Sequence, residues 1–305
     1  MEKRRRPPAV LLFWTRLHSP YCSIPSSVLR EICSYFPLPQ LLFYLSRESI
    51  RQYDFLRSCW RPASVLSEAL PDRIPSYCPI DHLHVLSCGG FSTIHTGHKK
   101  GYVTTDTVTI IDRHIGRVQH LSSLSTSRAY HGVICCEGAV YVFGGVHRDE
   151  YAPKSKGLKS AEVFHVQQKV WEALPDMSEA RSYLAACIWQ GLIYLSGSLS
   201  PSLEAFHPVS KTYTLLPLSL PLDFDAVLFP SFDNLVLLSA THISTITLTA
   251  AGHYKAVSDE HEKVTCWCRC PAVVWGGLVY LVQEERTAVL DAEKGGRVSV
   301  ALKRG

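Results

Sequence analysis

The chain has 305 residues, 46% of them hydrophobic and 19% charged, with a formal net charge of +4. That balance excludes a disordered chain and leaves material for one large all-β domain plus a small accessory one. Much of the positive charge sits in Lys3, Arg4, Arg5 and Arg6, so the remainder is near neutral and lacks the strong basic face of a nucleic-acid binder.

Residues 1–20 read as a disordered basic start, with a nuclear address at Lys3 to Arg6 as the alternative. The segment Ala9-Val10-Leu11-Leu12-Phe13-Trp14 follows the basic cluster as a secretory leader would. Its apolar core of about six residues is too short for one, and no clean small-residue cleavage pattern follows. No run approaches the roughly 20 apolar residues of a membrane span. The eleven cysteines are scattered and odd in number. Together these features predict a soluble cytoplasmic protein, with a nuclear location as the alternative, carrying reduced thiols and having neither a membrane nor a nucleic acid as partner.

Residues 21–62 differ in composition from the rest of the chain. Ser26 or Ser27 can cap a helix in which Val28, Leu29, Ile32, Tyr35 and Phe36 recur at helical spacing. Pro37-Leu38-Pro39 breaks it, and a second helix is expected to begin at Gln40 and run on toward Leu56. Trp60 and Pro62 mark the exit. The sequence from Ile24 to Trp60 resembles an F-box, a helical module that docks on the Skp adaptor of cullin ubiquitin ligases. The resemblance implies a docking face of Ile24, Pro25, Leu29, Ile32, Leu41 and Leu42. It is loose in its second half, where Glu48-Ser49-Ile50-Arg51-Gln52-Tyr53 departs from the usual stretch. The alternative is a helical pair packed on the rim of the larger domain.

Residues 63–305 are organised by a repeat. Ser67-Glu68-Ala69-Leu70-Pro71-Asp72 echoes Trp171-Glu172-Ala173-Leu174-Pro175-Asp176 and predicts a lone outer strand over 64–70. A first unit has strands expected at 83–88, 106–112 and 117–124. The second is the template, with strands at 131–136, 139–143, 161–166 and 169–174, and turns at Gly138, Gly144-Gly145 and Gln167-Gln168. The third copies it: Arg181 follows Arg128 by 53 (181 − 128), and Tyr213 follows Trp171 by 42 (213 − 171). A constant front, a shortened loop and a constant back describe one four-stranded unit in tandem. The fourth unit is degenerate, over 226–257. The fifth returns to type at 270–274, 278–283, 287–291 and 297–302.

These units resemble kelch repeats. The resemblance rests on Glu137-Gly138, the strand ending Tyr141-Val142-Phe143-Gly144-Gly145, then Glu162-Val163-Phe164 and Trp171 with Leu174-Pro175. It covers roughly residues 73 to 302. It implies an all-β, kelch-type β-propeller of five or six blades, used for binding other proteins at one mouth of the ring, with Trp171 or Tyr213 packed between blades. Ligand-contacting positions in such propellers often sit just before the first strand. Here they hold Arg128 and Tyr130, Arg181 and Tyr183, and Trp267 and Arg269. Aromatics and arginines dominate interface energetics, although Arg128 and Arg181 have an alternative role in tying neighbouring blades through backbone carbonyls.

No nucleophile elbow, zinc-protease helix or phosphate loop appears. Cys266, Cys268 and Cys270 share one strand face with His261 near, but a zinc site wants Cys-x-x-Cys spacing, and buried cysteine more simply acts as a small hydrophobe. Some kelch-like propellers are copper oxidases. His82 with His84, and His95 with His98, lack the accompanying tyrosine or carboxylate set. The expectation is a non-catalytic platform without cofactor or metal. It presents a protein substrate to a cullin ligase, with a general scaffold as the first rival and a propeller metal enzyme as the second.

Overall fold

The computed structural model describes residues 43–45, 49–54, 59–70, 75–81, 83–96, 99–149, 154–197, 200–216, 218, 220, 226–231, 234–239, 242–248, 254–260, 272–275, 278–283 and 286–291. Every regular element among them is a β-strand. No helix among them is long and apolar enough to cross a membrane.

An amino-terminal sheet holds β1 (Phe43–Leu45), β2 (Ser49–Asp54) and β3 (Cys59–Val65) in the antiparallel order β1-β2-β3. The chain then builds β4 (Ser76–Pro79) and β5 (His84–Cys88), and leaves as an arm of β6 (Phe91–Thr96) and β7 (Lys99–Thr104). It returns as β8 (Val108–Asp112) and β9 (Val118–His120), so the first sheet has the order β4-β5-β8-β9. The second sheet repeats this with β10 (Gly132–Cys136), β11 (Ala139–Phe143), a short arm of β12 (Val146–His147) and β13 (Lys156–Gly157), then β14 (Ala161–His165) and β15 (Val170–Leu174). The third runs β16 (Ala185–Trp189), β17 (Leu192–Gly197), β18 (Ser200–His207) and β19 (Thr212–Leu216). The fourth runs β20 (Val227–Ser231), β21 (Asn234–Leu238), β22 (His242–Leu248) and β23 (Tyr254–Glu260). The fifth contributes β24 (Ala272–Trp275), β25 (Leu278–Gln283) and β26 (Arg286–Asp291).

Local chemistry explains the tight hairpins. Glu137-Gly138 has φ values of 50° and 77°, and Gln190-Gly191 has 48° and 76°, the double positive φ that suits a two-residue turn to the strand twist. Both pairs close the first and second strands of their sheets.

Packing then sets the arrangement of sheets. The first strands abut in series, β4 on β10, β10 on β16, β16 on β20 and β20 on β24. Apolar side chains fill the space between neighbours. Leu86 and Val108 of the first sheet, with Leu124 of the linker that follows it, meet Val140, Val142 and Phe164 of the second. Phe143, Val163 and Leu174 of the second meet Ile193, Leu195 and Phe206 of the third. Tyr194, Leu203 and Leu216 of the third meet Leu228, Leu235 and Ile246 of the fourth. Serial stacking of small antiparallel sheets, face to face, is the local geometry of kelch-type β-structure. Trp171 lies half-buried against this packing, 5.0 Å from the Phe164 ring, and its indole N–H donates to the Ser122 carbonyl of the neighbouring sheet at 2.9 Å. Tyr213 lies 4.7 Å from Phe206 and 6.5 Å from Phe143 across the gap. These are the inter-sheet roles expected of the two aromatics.

The strands of units two, three and four fall where the repeat predicts, within three residues at each end. The first unit has an additional strand, β4, that the repeat did not single out. In the fifth, the strand expected at 297–302 lies outside the described residues.

One expectation is corrected. Residues 43–45 and 49–54, assigned to the second helix of the amino-terminal module, form β1 and β2 instead. Burial explains the outcome: Ile50 is 1% exposed and clusters with Leu66, Leu70 and Ile111. A single anchored apolar residue flanked by Ser49 and Arg51 satisfies a strand, whereas a helix would need a recurring stripe. The first helix, expected over 26–36, and the docking set Ile24, Pro25, Leu29, Ile32, Leu41 and Leu42 lie outside the described residues.

The lone outer strand expected over 64–70 is partly realised. Ser64 and Val65 close β3, and residues 66–70 continue without regular pairing. That continuation still packs as an outer strand would. Leu70 buries against Ile111 of the first sheet, as Leu174 buries against Phe206 of the third. The Ser67 amide donates to the Gly116 carbonyl at 2.8 Å, and the Val118 amide donates to Ser67 Oγ at 3.0 Å.

Candidate protein-binding face

In an antiparallel meander the connection between the second and third strands leaves on the same side as the linker to the next sheet. That side of this protein carries the β6–β7 and β12–β13 arms, the Gly89-Gly90 and Gly144-Gly145 pairs, and the linkers that hold Arg128 and Arg181. The two arms are joined at their bases. The Thr104 amide donates to the Arg148 carbonyl at 3.0 Å, and the Arg148 amide donates to Thr104 Oγ1 at 3.0 Å.

The linkers are held by a repeated clamp. Arg128 and Arg181 are both 0% exposed. Arg128 donates to the carbonyls of Gly144 and Ser160, each at 3.0 Å, and to Glu162 Oε1 at 2.9 Å. Arg181 donates to the Ser202 carbonyl at 2.7 Å and to Glu204 Oε2 at 3.1 Å. The free oxygen of each glutamate holds the other end of its linker. Glu162 Oε2 accepts the Ser125 amide at 3.0 Å, and Glu204 Oε1 accepts the Ser178 amide at 2.8 Å. Desolvation lowers the Arg128 pKa, and the facing Glu162 opposes that shift. A buried guanidinium is tolerable here because an anion and carbonyls satisfy it on all sides.

The glycine pairs complete the clamp from the neighbouring sheet. The amide of Gly90 donates to the Arg128 carbonyl at 2.8 Å, and that of Gly145 to the Arg181 carbonyl at 2.8 Å. A Cβ on Gly89 would lie 2.3 Å from the Arg128 carbonyl oxygen, and one on Gly144 would lie 2.7 Å from that of Arg181. The doublet therefore does more than end a strand. It is the flat surface onto which the next linker docks.

Arg128 and Arg181 are thus corrected as contact residues. Their side chains point inward and bind their own fold, in line with the alternative role weighed from the sequence. The tyrosines two positions on behave differently. Tyr130 and Tyr183 are half-buried, adopt φ values of 56° and 50°, and stack with ring centroids 4.3 Å apart. Phe91 of β6 meets Tyr130 edge-on at 5.2 Å. Ala129 and Val146 floor this group, and Tyr102 flanks it. Positive φ is unfavourable for a bulky side chain and persists only where packing over-determines it. Trp267 and Arg269 lie outside the described residues.

Residues 127–178 match the Kelch motif. The matched stretch holds one whole clamp, from Arg128 through Glu162, together with Trp171. The third sheet repeats the clamp through Arg181 and Glu204, and the first and fourth sheets lack its carboxylate. Thr109 and Ser244 occupy the places of the glutamates in the first and fourth sheets, as the strand registers show (Thr109 opposite Ser87, Ser244 opposite Leu237). The chain is also 28% identical over 83 residues to the spermatocyte protein spe-26 of Caenorhabditis elegans. That stretch is 26% of this chain and 15% of the relative. The chain thus spans a small fraction of that protein's length.

Sequence reasoning missed Glu162 and Glu204. Their signal was present, since 204 − 162 is 42, the same interval that relates Trp171 to Tyr213.

The remaining candidates for bond chemistry stand apart from this face or from one another. His84 pairs with Asp81 at 2.9 Å on the surface, His95 is exposed, and His82 and His98 lie outside the described residues. Among the described residues no three His, Cys, Asp or Glu side chains converge on a metal position. Burial pushes the thiols of Cys88 and Cys187 up to about 12, and that of Cys78 further. They are protonated fillers of the inter-sheet core. Cys266, Cys268 and Cys270 lie outside the described residues.

Proposed function

We propose that this chain is a protein-interaction platform whose stacked sheets form a propeller and whose tyrosine-bearing face grips a partner protein. Kelch motifs mark non-catalytic interaction modules in general, which supports the class. The observation that carries the reading is the Tyr130–Tyr183 stack. Two aromatic rings from equivalent points of adjacent repeats are held half-open, at backbone angles that packing must maintain. Rigid aromatics presented this way provide contact area at low entropic cost.

The narrower reading makes the platform the substrate receptor of a cullin ligase. It rests on the pattern of residues 24–36 alone, because the segment expected to form the second docking helix is built of strands. A scaffold that carries no ligase link fits the same face. Affinity capture from cell lysate with the full chain and with Tyr130→Ala/Tyr183→Ala tests the platform. Specific proteins retained by the natural chain and lost with the double variant support it, whereas identical retention by both removes the face from consideration. Presence or absence of a Skp-type adaptor among proteins retained by both chains decides the narrower reading.

A further inference from the structure

We infer that the partner segment taken by this face is acidic. The inference rests on the platform reading and adds the chemistry of the partner. The two arms that flank the tyrosine stack are unevenly charged. The first arm, residues 91–104, contains Lys99 and Lys100 and no carboxylate. The second, residues 146–159, contains Arg148, Lys154, Lys156 and Lys159 against Asp149 and Glu150. The stretch from Glu162 to Glu204, by contrast, carries Glu162, Glu172, Asp176, Glu179 and Glu204 against Lys169 and Arg181.

The described carboxylate on the arms is already engaged. Asp149 Oδ1 meets His147 Nε2 at 2.9 Å, and His147 Nδ1 reaches the Ser127 carbonyl at 3.0 Å. Lys159 is also engaged, donating to the Ser178 carbonyl at 2.7 Å. Lys154 and Lys156 are exposed and meet no carboxylate among the described residues. They stand on or beside β13, whose sheet partner β12 is bridged to the tyrosine linker through Ala129 and Val146. Contacts between β12 and β7 bring the base of the other lysine-bearing arm alongside.

An extended peptide lying over Tyr130 and Tyr183 therefore runs between the two basic arms. Carboxylates at its edge meet the exposed ammonium groups of Lys154 and Lys156, and an aromatic or aliphatic side chain beside them meets the tyrosine faces. A six-residue strand such as β6 spans about 20 Å, which matches about six residues of extended peptide. Charge of this kind raises association rates and selects among partners, and the buried aromatic contact supplies the affinity. Single-stranded nucleic acid shares the anion and the stacking base. It is disfavoured because the arms hold few cations for a backbone charged at every residue and lack a continuous basic groove.

The test uses the full chain and three fluorescein-labelled probes read by anisotropy: a peptide of alternating Glu and Tyr, one of alternating Lys and Tyr, and a single-stranded oligonucleotide. The expected result is saturable binding of the Glu–Tyr peptide alone, weakened about tenfold or more by Lys154→Glu/Lys156→Glu and also by Tyr183→Ser, with unchanged thermal melting in the charge variant. Binding of the oligonucleotide as tight as that of the acidic peptide overturns the inference. So does the absence of binding by the acidic peptide, or binding indifferent to Lys154→Glu/Lys156→Glu. If Tyr183→Ser releases captured cellular proteins while charge reversal changes neither capture nor peptide binding, the platform stands and the acidic partner falls. If neither variant changes capture, both fall.

Discussion

The carboxylate of Glu162 meets the guanidinium of Arg128 at 2.9 Å, with both side chains shut off from solvent. Because the pair joins the third strand of a sheet to the linker that begins it, it ties the sheet shut on the side that carries the linkers. Glu162→Gln keeps the shape and removes the anion. It strands a buried cation, and the expected loss is about 3–5 kcal/mol in chemical denaturation. Arg128→Met/Glu162→Leu removes both charges and is expected to recover a large part of that loss. A Glu162→Gln loss under about 1 kcal/mol would show that the pair contributes little beyond its carbonyl contacts.

The glycine doublet separates two effects that usually coincide. Gly138 has φ 77° and no atom within 4 Å of an added Cβ. Gly138→Ala is therefore expected to cost only the backbone penalty, about 1–2 kcal/mol. Gly145 has φ 95°, and its added Cβ would lie 2.6 Å from the Ala129 carbonyl oxygen and 2.9 Å from His131 Cβ. Gly145→Ala adds this backbone collision, and its melting temperature should fall well below that of Gly138→Ala. Equal melting temperatures would mean that the linker does not need the close approach.

The stacked sheets were legible in the sequence because each strand boundary coincides with a chemical signal: Gly138 and Gly191 at the hairpins, Gly144-Gly145 at the linker dock, Trp171 and Tyr213 at one interval. Even the degenerate fourth sheet could be placed, since the apolar run of β21 survives without the motif. The amino-terminal sheet was not legible. Its helical reading rested on the apolar run that follows the Pro37-Leu38-Pro39 break and on the F-box resemblance, while the decisive fact, clustering of Ile50 with Leu66 and Leu70, is a contact between separate segments. At the candidate site the positions were visible but not their direction. Arg128 and Tyr130 stand two apart and look equally available, yet the Glu162 carboxylate draws one inward. The left-handed backbone at Tyr130 is set by the docked linker, which no local pattern reveals.

His131 sets the acid limb of stability. The ring is 4% exposed between Cys88 and the Arg128 guanidinium, and burial with the nearby cation lowers its pKa to about 3. The unfolded chain binds this proton near pH 6.5, and the folded chain does not bind it until about pH 3. Between those limits the unfolded state holds more protons, so stability falls as pH drops from about 6.5 toward 3 and is unaffected by His131 above that window. The full contribution is of the order of a few kcal/mol. His131→Gln should flatten the decline of denaturation free energy between pH 6 and pH 4 (about that window). A slope identical to that of the natural chain would show that His131 titrates alike in both states.

Tyr183 tests whether stability and recognition are separable at the open face. Its φ of 50° favours glycine or asparagine, while its ring stacks on Tyr130 at 4.3 Å. Tyr183→Asn relieves the backbone by about 1 kcal/mol and forfeits a stacking contact of about 0.5–1.5 kcal/mol. These effects nearly cancel, so the melting temperature should move little. Binding of partner protein, measured by calorimetry once a partner is in hand, should fall about tenfold or more, as for an aromatic interface anchor. A variant that melts much lower would assign the ring to the packing of the fold. A variant that melts like the natural chain and binds equally well would leave the strained tyrosine without a role in recognition.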